Sequence, residues 1–266
     1  MQRAISSIDS WLKAAEDAYG ITSFAVKAIV LLPMLIVFLY SFFFFLPMTR
    51  RYAQMIILEN GPVELLTFVF LLLGGLLGLV LAWRARKHGE SILVIAFYAI
   101  FSLGLLVTAM EEVAWGQLLF GFEAPEALIS INMEEEMTIH HIKGFNGNTE
   151  SLRLAFGLGG LLGVWLSHRR SFRKIGSPTI LSSWFVCITV FAAVDLYDDF
   201  YSVQELIRTL MYRSSEVVEM MIGMTGLLFI WLNGRWLANE WKQNVSKIFG
   251  EDNFERSATS LRSRTI

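Results

Sequence analysis

Acidic side chains cluster where an otherwise apolar chain should have none. Glu111 and Glu112 close one uncharged run, Asp195, Asp198 and Asp199 close another, and Glu216 and Glu219 open a third. Glu59 and Glu64 flank Asn60-Gly61-Pro62 ahead of a fourth run, and Glu150 and Arg153 precede a fifth. On a helix, positions i, i+3 and i+4 share a face, which places Asp195, Asp198 and Asp199 together. The segment that follows Glu112 adds Trp115, Gln117, Glu134, Glu135, Glu136 and the pair His140-His141. Carboxylates crowded into a low-dielectric layer cannot all stay ionised without help. They are protonated, paired with Arg or Lys, or bound to a cation.

Each remedy implies a different chemistry. A divalent metal fits carboxylates mixed with imidazole, the ligand set of Zn, Mn and non-haem Fe sites. Glu111, Glu112, Asp195, Asp199 and His140 are the expected ligands. The metal would lower the pKa of a bound water, Glu219 would act as general base, and Trp115 and Gln117 would line the entrance. That constellation suits a hydrolase or transferase acting on a lipid or lipid-linked substrate. Protonatable carboxylates around Glu64, Asp195 and Glu219 suit a proton- or cation-coupled transporter instead. Pairing with Arg153, Arg208, Arg213 and Lys143 suits a structural or accessory subunit. The wider candidate set for substrate or ion binding is Glu59, Glu64, Asp195, Asp198, Asp199, Glu216 and Arg153.

The elements that must position these groups are legible from composition. Hydrophobic residues make up 55% of the 266 and charged residues 17%, with a mean hydropathy of +0.52. A soluble domain carries about 25% charge, so that class is excluded, as are disorder and a disulfide scaffold. A bilayer-crossing helix needs about 20 apolar residues. Uncharged runs at 28–49, 65–83, 91–110 and 175–194 meet that length, while 154–167 and 220–234 fall short. Lengthening the two short runs draws Glu150, Arg153, Glu216 and Glu219 into the membrane. The expected fold is therefore an all-α, polytopic transmembrane helical bundle of about six spans. Their expected bounds are 28–49, 62–83, 91–112, 149–167, 177–199 and 216–236. The first run is too long for a signal-peptide h-region and lacks a small-residue cleavage site, so it reads as a retained helix.

Orientation follows from the basic residues of short loops. Arg84, Arg86 and Lys87, and then Arg169, Arg170, Arg173 and Lys174, mark the cytoplasmic side, which puts both termini there. That side then holds 16 basic and 8 acidic residues, against 6 and 16 on the other. Residues 1–24 are expected as a cytoplasmic amphipathic segment, since Ile5, Ile8, Trp11, Leu12 and Ala15 share a stripe. The connection 113–148 is expected outside the membrane, with a helix over about 126–142. Residues 238–266 are expected as a flexible cytoplasmic tail. The GxxxG spacings Gly74 to Gly78 and Gly159 to Gly163 read as helix-packing seams.

The string Glu111-Glu112-Val113-Ala114-Trp115-Gly116-Gln117 resembles the EE-[IV]-[SA]-WGQ signature of a family of bacterial multi-pass inner-membrane proteins. Glu59 to Glu64 resembles that family's Glu-Asn-Gly-Pro-x-Glu start, and Asn132 through His141 its downstream Asn-x-Gln/Glu-x-Glu and His-Asn stretch, with His141 in place of Asn. The resemblance implies a bacterial inner (plasma) membrane location and no defined activity. Multi-pass lipid amidases of the alkaline ceramidase type offer a looser likeness of mechanism, although their His-x-x-x-His pair is absent here.

Other chemistries find no support in the chain. It has no Gly-x-Ser-x-Gly elbow and no phosphate loop. Cys187 lies inside an apolar run as an inert thiol. His88 and His168 sit beside basic loops, whose charges suit anionic lipid rather than nucleic acid.

Overall fold

A computed structural model describes residues 2–57, 61–130, 132, 137–138, 149–201 and 204–262. The helices are α1 (Gln2–Tyr19), α2 (Ser23–Phe45), α3 (Arg50–Ile56), α4 (Pro62–Lys87) and α5 (Ile92–Glu112). After them come α6 (Gln117–Phe120), α7 (Glu126–Ile129), α8 (Thr149–Ser167), α9 (Ser182–Phe200) and α10 (Glu205–Arg262). Among the described residues, five helical stretches are long and apolar enough to cross a membrane: Ser23–Phe45, Pro62–Lys87, Ile92–Glu112, Thr179–Asp198 and Ser214–Asn244. The chain is an all-α polytopic membrane bundle.

Local chemistry sets the helix ends. Thr22 caps α2 by accepting from the Ala25 amide at 3.3 Å, and Ser91 caps α5 by accepting from Val94 at 3.4 Å. Pro62 occupies the first turn of α4, where its missing N–H has no bond to lose, and Glu64 faces the positive end of the helix dipole. The first span starts at Ser23 and ends at Phe45, not at 28 and 49. Pro47 disfavours helix at the residue before it. The Thr49 hydroxyl then donates to the Phe43 carbonyl at 2.9 Å, and Arg50 Nε to Phe44 at 3.0 Å, closing the helix.

Two packed groups build the bundle. In the first, α4 lies between α5 and α10; in the second, α8 pairs with α9, which also packs on α2. Glycines bring both groups close. A Cβ on Gly75 would stand 2.5 Å from Leu106 Cγ, and one on Gly74 3.2 Å from Leu227 Cα of α10. In α8 the tight positions are Gly157, against Thr189, Gly160, against the Phe185 ring, and Gly163, against Ser177. Gly159 faces open space, so the expected Gly159 to Gly163 seam is replaced by one with a three-residue period. Pro33 inside α2 leaves the Ile29 carbonyl without its helical partner. The buried Trp184 indole of α9 fills that vacancy, donating from Nε1 at 2.8 Å.

One end of the bundle is tied by polar contacts. Lys174 Nζ reaches both Glu90 oxygens at 2.9 Å and Glu240 at 3.4 Å, and Trp241 Nε1 donates to Glu90 at 2.9 Å. Asn233 Nδ2 donates to the Gly176 carbonyl at 3.2 Å, and Arg235 Nε to Tyr19 at 2.6 Å, capping α1. Burial pushes the Tyr19 phenol up to about 12, against the opposing pull of Arg173. The α1–α2 junction, the 88–91 turn, the 168–181 connection and this part of α10 thus lie together. The start of α8 lies at the other end, beside Asp195 and Glu219. Its 19 residues, about 28 Å at the usual helical rise, therefore run the depth of the bundle.

Burial opposes the charge on Lys174, but the Glu90 hydrogen bond and the Glu240 and Glu90 charges outweigh it. The ammonium titrates above its ordinary 10.5. A raised lysine contributes stability that is present below its unfolded value and lost as pH rises through its folded value. The difference in thermal-unfolding midpoint between wild type and Lys174→Gln should therefore hold steady up to about pH 9 and shrink above about pH 10.5. A pH series of unfolding scans on both proteins measures it.

Two further expectations are corrected. Beyond 238 the chain is not a loose tail, because α10 continues to Arg262. No proline follows Pro178, and extending an existing helix is cheaper than starting one. The expected helix over 126–142 is one turn, Glu126–Ile129. Asn132 leaves it, with Nδ2 donating to the Thr138 carbonyl at 2.8 Å.

Candidate functional site

The site is built around Arg153, in the second turn of α8. Its Nε and Nη2 both donate to Glu219 Oε1 of α10, at 3.1 and 2.7 Å, and its Nη1 donates to Asp195 Oδ2 of α9 at 3.3 Å. Nη2 also reaches the Thr149 hydroxyl at 3.4 Å. The guanidinium side chain is 11% exposed, against 20% for Asp195 and 27% for Glu219. One cation thereby joins three helices. Glu112, at the end of α5, lies within electrostatic range of Glu219, Glu216, Glu64 and Arg153. Helices α4, α5, α8, α9 and α10 thus converge here.

The remaining acids do not join this centre. Successive helical residues point about 100° apart, so Glu111 diverges from Glu112 and accepts instead from Trp115 Nε1. Asp198, three residues past Asp195, pairs with Arg208 at 3.0 Å on the surface. An exposed pair of that kind contributes about 0–1 kcal/mol. Glu59 and His140 lie outside the described residues, as does the Asp199 side chain, although its backbone belongs to α9.

Just after Glu112 the backbone turns through a left-handed run. Ala114 has φ 44°, Trp115 φ 55° and Gly116 φ 95°. Two of these carry a Cβ, and left-handed backbone costs such residues roughly 1–2 kcal/mol each. Buried Val113 and Ala114 hold the turn from below. The Trp115–Glu111 hydrogen bond and the Met137 amide, which donates to Gln117 Oε1 at 3.0 Å, hold it from the sides. Glu111, Trp115 and Gln117 therefore shape the turn that follows Glu112, next to the charged centre.

Of the expected metal set, only Glu111, Glu112 and Asp195 have described side chains. Among the described residues, no group of three His, Cys, Asp or Glu side chains is placed to hold a metal ion. Arg153 occupies Asp195 Oδ2 and Glu219 Oε1, two of the oxygens on this face, and Glu111 turns away to Trp115. A guanidinium among the carboxylates supplies positive charge of the kind a metal would bring.

Sequence reasoning missed the matching cluster at the other end. Lys174, Glu90 and Glu240 join the 168–181 connection to the 88–91 turn and to α10. The available signal was that Glu90 and Glu240 are isolated acids within basic stretches. No protein family, curated protein or solved structure matches the chain. What the fold and site define is a class: a polytopic helical membrane protein with a charged centre shared by several helices.

Proposed function

We propose that the chain is a cation- and proton-coupled transporter of the bacterial inner membrane, with both termini cytoplasmic and six spans. One observation carries this reading. The α8–α9 hairpin carries one cation at each end, Arg153 on Glu219 and Lys174 on Glu240 and Glu90, beside the packing of α9 on α2 and α10. Such a hairpin can release one clamp while keeping the other, which is what alternating exposure of a central path requires. At the first clamp Arg153 holds Glu219 while Glu112 lies within its electrostatic range, so a carboxylate freed by one arrangement takes up a proton or cation and gives it back in the other. The excess of basic residues on the Lys174 side supports the orientation.

Vesicles carrying the full chain and an imposed pH gradient test the reading. Addition of Na+, K+, Mg2+, Mn2+ or Zn2+ should dissipate the gradient, read by a pH-sensitive dye, for at least one cation. The response should be lost in Glu112→Gln and in Glu219→Gln. No response above empty vesicles with any of the five overturns the proposal. Elemental analysis of the purified protein separates the alternative. Stoichiometric Zn, Mn or Fe that disappears in a Glu111→Ala, Glu112→Ala variant of confirmed fold would favour the metal-dependent lipid hydrolase or transferase.

A further inference from the structure

Five cation–indole pairs gather at the Lys174 end of the bundle. Lys87 Nζ sits 3.7 Å from the Trp83 ring, Arg169 5.4 Å from Trp165, Arg173 5.3 Å from Trp236, Arg84 5.9 Å from Trp241 and Arg235 5.4 Å from Trp231. They come from α4, α8, α10 and the connection after α8, so they run around the bundle rather than along one helix. Trp83 and Trp165 are more than half exposed, and Trp231 is 36% exposed. In a bilayer an outward indole at a helix end lies at headgroup depth.

Stacking on an indole leaves the in-plane N–H donors of a guanidinium, or the outer hydrogens of an ammonium, directed away from the ring. Arg235 is already engaged by the Tyr19 and Gly20 carbonyls. Among the described residues, no carboxylate pairs with Lys87, Arg169 or Arg173, and the neighbouring Arg170 is exposed. Unneutralised donors at headgroup depth, each on a rigid aromatic base, match a phosphodiester oxygen in charge and geometry.

We infer that this rim binds the headgroups of anionic phospholipids, with Lys87, Arg169 and Arg173 as the headgroup ligands and Trp83, Trp165 and Trp236 as their supports. The bilayer leaflet facing this end, and not a soluble phosphate, is the partner. The inference stands apart from the transport reading, since neither clamp takes part in it.

Tryptophan quenching by lipids with brominated chains tests it on the full-length protein in liposomes. Brominated phosphatidylglycerol should associate more strongly than brominated phosphatidylcholine, by roughly fivefold for each headgroup engaged. The preference should fall to about one in Lys87→Gln, Arg169→Gln, Arg173→Gln. It should persist in Arg50→Gln, Arg51→Gln, which removes charge from the opposite end, and inorganic phosphate should not compete. Equal quenching by both lipids overturns the inference, as does a preference that survives the triple substitution. Competition by inorganic phosphate would transfer the site to soluble anions. Unfolding scans establish that the triple variant remains folded, and lipids retained by wild type in native mass spectrometry give a second readout that needs no variant.

Discussion

Arg153→Gln is expected to lower stability by about 3 kcal/mol and to abolish the cation response in vesicles. Removing one partner of a buried ion pair leaves the other charge uncompensated, and that loss exceeds what forming the pair gains. Here the guanidinium is taken from two carboxylates at once, Asp195 and Glu219, each less than a third exposed. Arg153→Lys should recover only part of the loss. The guanidinium places Nε and Nη2 on Glu219 while Nη1 reaches Asp195 on another helix, and an ammonium has no such fork. Combining Arg153→Gln with Glu219→Gln should restore much of the stability without restoring the response. A double-mutant cycle on unfolding midpoints, run beside the vesicle assay, separates the two effects. Recovery of both together would mean that the centre only holds the helices in place.

The second large effect concerns two glycines two residues apart in α8. Gly157→Ala should loosen the α8–α9 hairpin, whereas Gly159→Ala should be neutral or stabilising. A Cβ at 157 would stand 3.0 Å from the Thr189 amide nitrogen and 3.1 Å from its Cα, and also meets the Thr189 hydroxyl. Backbone cannot swing aside as a side chain can, so the helices must separate. Overpacking of this kind costs about 1–3 kcal/mol, and in lipid close packing is the main attraction between helices. At 159 nothing lies within 4 Å, and replacing glycine by alanine in a helix gains up to about 1 kcal/mol. Opposite shifts in unfolding midpoint for the two variants are the expected result. Equal shifts would mean that α8 packs on α9 through a different face.

Some properties of this protein are local, and the sequence alone determines them. The length of an apolar run decides whether a helix can cross a bilayer, so most spans and the all-α class were legible to within a few residues. The helix ends that carry acids were also legible, because Glu112, Asp195 and Glu219 sit where uncharged runs stop. Where a local signal was weak, the reading erred. Pro47 ended the first span four residues early, and the absence of a later proline let α10 run to Arg262.

Which of those acids meet depended on contacts far apart in sequence. Glu111 and Glu112 are neighbours in sequence, yet helical rotation sends one to Trp115 and the other towards Arg153. Asp195 and Asp198 share a face, yet Arg153 of α8 takes the first and Arg208 the second. Nor does any local pattern join Lys174 to Glu90 and Glu240, which are 84 and 66 positions away. Helix order and rotation are set by close packing at Gly74, Gly75, Gly157 and Gly160, and an ion pair forms only after that packing has brought its partners within reach. Composition therefore foretold a charged layer at one end, and tertiary structure alone decided which of its acids Arg153 holds and built the Lys174 cluster at the other.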